Sequence, residues 1–120
     1  MRPSVSGAVV LAAAMTVAGC GSTLPLPLGP QAVLTARDVA LVEPGLQIPA
    51  GRQATVVVDN QDAGVPHGFS IQAANGQDLF TGQIVAGPAR TSYVVPPLAP
   101  GGYLFLCPVH PMMQGKLVVG

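Results

Sequence analysis

The sequence predicts an all-β protein, a sandwich of about seven short strands, and three observations carry that reading. Glycine (15) and proline (13) are abundant among 120 residues, which divides the chain into short pieces bounded by turns. The pieces between them are rich in valine and other residues that fit a pleated surface. From about Gln31 onward no apolar pattern keeps a helical period for more than a turn or two. The length suits one domain and leaves no room for a second core.

Taken in order, Ala32 to Leu34 and Val39 to Val42 are the first apolar runs, and Pro44-Gly45 ends them. Gln53 to Asp59 follows the Pro49-Ala50-Gly51 turn, and in it Ala54, Val56 and Val58 alternate with Thr55, Val57 and Asp59, the period of a strand with one face to the core. His67 to Gln72 follows Asp62-Ala63-Gly64 and stops before Asn75-Gly76. Thr91 to Val95 comes after Gly87-Pro88, Gly102 to Leu106 after the Pro96 to Gly102 break, and Lys116 to Val119 completes the set. Phe69, Ile71, Tyr103 and Phe105 supply the bulk of the expected core. A domain of this size folds without a disulfide or a metal, so a bound metal would serve chemistry.

The formal net charge is zero and only 8% of residues are charged, so no basic stripe is available for nucleic acid. Asp59, Asp62 and Asp78 read as solvated turn residues. No paired carboxylates, no nucleophile with a base and no phosphate-cradling glycine loop is visible, so the chain is not expected to be an enzyme or to take a small-molecule substrate.

Residues 1–30 read as export and tethering sequence. Met1-Arg2 supplies a positive start, and Gly7 to Ala18 is a small and apolar run too short to span a membrane. The stretch Val17-Ala18-Gly19-Cys20 resembles the lipobox of bacterial lipoproteins, which implies that residues 1–19 are a signal peptide and that Cys20 becomes the lipidated first residue. Acyl chains at about 0.8 kcal/mol per buried methylene would then hold the protein on an extracytoplasmic or periplasmic membrane face. Pro25, Pro27 and Pro30 make residues 20–30 an extended tether. Residues 31–120 form the folded domain.

The two cysteines are Cys20 and Cys107, and lipidation of the first leaves the second unpaired, a liability in an oxidising compartment unless a metal occupies it. The segment Cys107-Pro-Val-His110-Pro-Met112-Met113-Gln-Gly115 places a thiolate, an imidazole and thioethers within seven residues, in a loop between two predicted strands. Soft sulfur ligands with imidazole suit copper far better than magnesium or calcium. The remaining histidine, His67, follows Pro66 at the start of another strand. Two histidines and a cysteine with a weak methionine ligand is the set expected of a blue-copper electron-transfer site. The four ligands would leave no open position for substrate.

The motif CxxHxxMxG, with Pro66-His67 upstream, resembles the cupredoxin family over about Ile48 to Gly120, with a loop length similar to that of amicyanin. The resemblance implies a Greek-key β-sandwich holding one copper ion, with His67, Cys107 and His110 as ligands and Met113, rather than Met112, as the axial thioether. Family members often carry asparagine after the upstream histidine and serine or threonine after the cysteine. Here Gly68 and Pro108 stand at those positions, leaving backbone groups to join the two loops. Pro66, Pro108, Val109, Pro111 and Met112 should form a nearly uncharged rim around His110, a docking face for a redox protein partner.

The leading expectation is a membrane-tethered, monomeric electron carrier cycling between Cu(I) and Cu(II). Copper storage or delivery is the alternative, favoured by the extra Met112. A domain that holds zinc or no metal is the third reading.

Overall fold

The computed structural model describes residues 31–120, and every regular element among them is a β-strand. The expected signal peptide, lipidated Cys20 and tether lie outside the described residues. The strands are β1 (Gln31–Arg37), β2 (Ala40–Leu41), β3 (Gly45–Ile48), β4 (Ala54–Asn60), β5 (Pro66–His67), β6 (Ser70–Gln72), β7 (Asp78–Thr81), β8 (Val85–Ala86), β9 (Ala89–Val95), β10 (Gly101–Cys107) and β11 (His110–Val119).

Two sheets face each other. One has the order β2-β1-β4-β9 and the other β3-β11-β10-β6-β7, while β5 and β8 form a separate small ladder. β1 runs parallel to β4, and β4 antiparallel to β9, in a register that sets Ala32 beside Val56 and Val56 beside Tyr93. In the second sheet Leu46 pairs with Leu117 and Leu117 with Tyr103, while Phe105 pairs with Ile71 and Ile71 with Phe80. Because side chains alternate across a pleated strand, such rows put whole sets of apolar groups on one face. The two inner faces close a core that includes Leu34, Val56, Val58, Tyr93 and Val95 from one sheet and Ile48, Ile71, Phe105, Leu117 and Val119 from the other, with Phe69 between. The alternation expected in β4 holds, with Ala54, Val56 and Val58 in that core, although Thr55 and Val57 are buried as well.

Eleven strands lie among the described residues, three of them only two residues long, beside the seven or so longer runs expected. Gly45, expected to break the chain, opens β3, which completes the second sheet by parallel pairing with β11. The strand expected at His67 to Gln72 is two strands in different ladders. Pro66 and His67 pair with Ala86 and Val85, and the chain then crosses through Gly68 and Phe69 before Ser70 to Gln72 joins β10. That crossing separates the residue that faces the site from the residues that fill the core.

Val39 is not a strand residue. Asp38 and Val39 form the two-residue connection of the β1–β2 hairpin, where Arg37 pairs with Ala40, and both have a φ of 53°. A hairpin this tight needs positive φ at its central residues and usually uses asparagine, aspartate or glycine there. A β-branched residue in that region is an outlier, so neighbouring contacts must hold it.

Candidate metal centre

Cys107 ends β10 and His110 begins β11. They pair across a two-residue turn made by Pro108 and Val109, so the expected loop is a tight reversal. β11 starts at His110 and runs through both methionines, and strand alternation therefore decides which one enters the protein. Met113 is 4% exposed and packs with Cys107 and Ala36, whereas Met112 is 94% exposed.

The fold brings the other histidine to the same place. His67 is buried, and its Nδ1 lies 3.7 Å from the Cys107 Sγ, while the Nδ1 of His110 lies 3.6 Å from the same sulfur. The two imidazole rings have centroids 5.0 Å apart and are tilted by 59°. One ligand atom from each of His67, Cys107 and His110 falls within 4.8 Å of the others. Two imidazole nitrogens and a cysteine sulfur arranged around one point, with a buried thioether packed beside them, form a donor set that fits one copper ion.

The fourth boundary of the site is a carboxylate. Asp62, expected among the solvated turn residues, is instead buried, and its Oδ2 is 2.7 Å from His67 Nε2. It also accepts hydrogen bonds from the backbone N–H of Asp38 at 2.6 Å and of Val39 at 2.9 Å. The hydrogen bond from His67, followed by that from Val39, holds the carboxyl below its usual pKa despite a burial effect in the opposite direction. Asp62 donates its own N–H to the Asn60 side-chain oxygen, and Asn60 donates to the carbonyls of Val65 and Val85. Nothing in the sequence marks Asp62 as different from Asp59 or Asp78. Asp59 is partly exposed beside Arg90 and Asp78 is exposed beside Gln72. The burial of Asp62 comes from the meeting of three chain segments.

Gly68 and Pro108, on the two segments that carry His67 and Cys107, come into contact. A β-carbon built on Gly68 would lie 3.3 Å from Pro108 Cδ and 3.1 Å from Ile84 Cγ1, so the glycine lets the Pro108 ring close over the histidine segment. His110 is partly exposed, and of the residues expected to rim it Pro66, Val109, Pro111 and Met112 are exposed and Pro108 partly exposed. None of these side chains is charged.

A cupredoxin-like domain model matches residues 8–119. No curated protein matches the chain by sequence. Among solved structures, auracyanin B superposes with a TM-score of 0.67 at 20% identity, covering 76% of this chain and 88% of that one. Auracyanin A, a "blue" copper protein from the green thermophilic photosynthetic bacterium Chloroflexus aurantiacus, has a TM-score of 0.66 at 21% identity, covering 77% of this chain and all of that one, 100%. A reduced Cu(I) form of an amicyanin variant has a TM-score of 0.56 at 25% identity, covering 73% of this chain and 80% of that one. With its sandwich fold and a copper-fitting donor set at one end, the chain belongs to the cupredoxin family.

Proposed function

We propose that this protein is a one-electron carrier in which His67, Cys107 and His110, with a weaker contribution from Met113, would hold a copper ion, and that it works tethered to an extracytoplasmic membrane face. The observation that carries this reading is the placement of both imidazole Nδ1 atoms 3.6 to 3.7 Å around a single buried cysteine sulfur. The copper would supply one-electron exchange between Cu(I) and Cu(II). Burial of His67, Cys107 and Met113 at 4% exposure or less keeps solvent from the donor atoms and the surrounding sheets limit their movement, so a change of charge requires little rearrangement. His110 alone of the set reaches the surface, and its ring offers the route for electrons to a partner seated on the uncharged rim. That rim makes the encounter only weakly dependent on ionic strength. No step requires bond formation in a substrate, and the protein is not an enzyme on this reading.

The tether rests on Val17-Ala18-Gly19-Cys20. Mass spectrometry of the purified chain would find an acylated Cys20 as the first residue, and an unprocessed N-terminus would reject the anchor. For the carrier itself, the test is the visible absorption spectrum of the copper-loaded chain through repeated reduction and reoxidation. An intense thiolate-to-copper band that bleaches, returns and is absent from Cys107→Ala is the expected result. No band rejects the assignment.

Met112 favours a second reading, copper delivery, because its exposed thioether stands beside the site, where a copper acceptor could approach. Release of the ion to a Cu(I) chelator on reduction would select delivery, and retention through many cycles would select electron transfer.

A further inference from the structure

The carboxylate of Asp62 stands where three parts of the chain meet. It faces the side of His67 turned away from Cys107, it takes both amides of the Asp38-Val39 turn, and its own backbone N–H is held by Asn60. Both carboxylate oxygens accept backbone N–H groups, and the Oδ2 that faces His67 is the one that accepts from Val39, so Asp62 stands toward the ring as a hydrogen-bond acceptor. The His67 Nε2 at 2.7 Å must therefore carry the hydrogen, and in the neutral ring this leaves Nδ1, the atom 3.7 Å from the Cys107 sulfur, with its lone pair free. The turn also constrains the carboxylate in return. Val39 holds a φ of 53°, a conformation that β-branched residues avoid, and the amides presented by this turn fix the rotamer of Asp62.

We propose that Asp62 is a positioning residue for the metal centre, locking His67 in the Nε2–H tautomer with Nδ1 directed at the ion and lowering the reduction potential through its fixed negative charge. The lowering rests on the copper reading given above, whereas the tautomer does not. A negative charge hydrogen-bonded to a ligand imidazole makes that ring a stronger donor and favours the more highly charged Cu(II) over Cu(I). The β1–β2 hairpin, far from the ligand loop in sequence, thereby becomes part of the centre.

Two measurements test this. Long-range proton–nitrogen NMR of the metal-free wild-type protein should show His67 as the Nε2–H tautomer, and the Nδ1–H tautomer would overturn the proposal without recourse to any variant. In the copper-loaded protein, the midpoint potential of Asp62→Asn should shift upward while the thiolate-to-copper band persists, and Asp62→Glu, which keeps the charge, should lie closer to wild type. An unchanged potential in Asp62→Asn, with only thermal stability reduced, would make Asp62 a clasp for the hairpin and nothing more. If wild-type protein forms no copper band, the electron-carrier reading fails, and the NMR result still decides the orientation of His67 by itself.

Discussion

Met112 and Met113 are chain neighbours on β11 that face opposite sides of the strand, one 94% and the other 4% exposed. The period of two in a strand turns one to solvent and the other toward Cys107. Replacing Met113 with leucine keeps the packing against Cys107 and Ala36 but removes the sulfur, so the copper-loaded variant should show a shifted absorption band and a changed potential, while Met112→Ala should leave both unchanged. Optical and redox titration of the two variants checks this, and an effect of Met112 equal to that of Met113 would remove the axial assignment.

Gly115, the glycine of the CxxHxxMxG motif, pairs with Phe105 across β10 and β11, and a β-carbon there would run into the Phe105 ring. Phe105 is fully buried, so it has nowhere to retreat. Gly115→Ala should cost about 1–3 kcal/mol of stability through overpacking, read by denaturant unfolding of the metal-free protein. Midpoints that coincide with wild type would show that the ring can shift freely. The motif glycine is therefore legible as a pattern in the sequence, while its reason, room for an aromatic ring, is not.

The close approach of Gly68 to Ile84 and Pro108 sets a similar limit. Gly68→Ala should destabilise the metal-free domain by about 1 kcal/mol, because the new methyl meets Ile84 Cγ1 at 3.1 Å and Pro108 Cδ at 3.3 Å. Ile84 is 42% exposed and removable, so Ile84→Ala combined with Gly68→Ala should recover part of the loss. Additive losses in a double-mutant cycle would show that the two sites do not interact.

Tyr93 lies in the core, and its hydroxyl donates to the Gln83 carbonyl at 2.5 Å. Burial, followed by the negative charge of Cys107, raises its phenol above the usual value of 10.0. As pH rises the unfolded chain loses this proton first, so stability is complete below the unfolded value and declines as pH climbs from there through the raised folded value. Denaturant melts of metal-free wild type and Tyr93→Phe between neutral and alkaline pH should show a fall in the wild type that the variant lacks. Parallel curves would refute the shift.

The sequence alone determined the class of the fold and singled out the side chains that the structure gathers at one place. Alternating valines, frequent prolines and glycines, and the absence of helical periodicity specify short strands in layers, because these are local properties of the chain. The spacing of Cys107, His110 and Met113 is local as well, so the chemistry of the centre could be read from it together with the one other histidine. Tertiary structure decided what depends on contacts between distant segments. It made Gly45 the start of a strand by giving it β11 to pair with, and it divided the segment from His67 to Gln72 between two ladders. It turned Asp62 from one aspartate among several into a buried partner of His67, since only the meeting of the β1–β2 hairpin, the segment after β4 and β5 removes that carboxylate from solvent and supplies its donors. Hydrogen bonds to a side chain are fixed by where the backbones converge, and no residue pattern in this chain encodes that convergence locally.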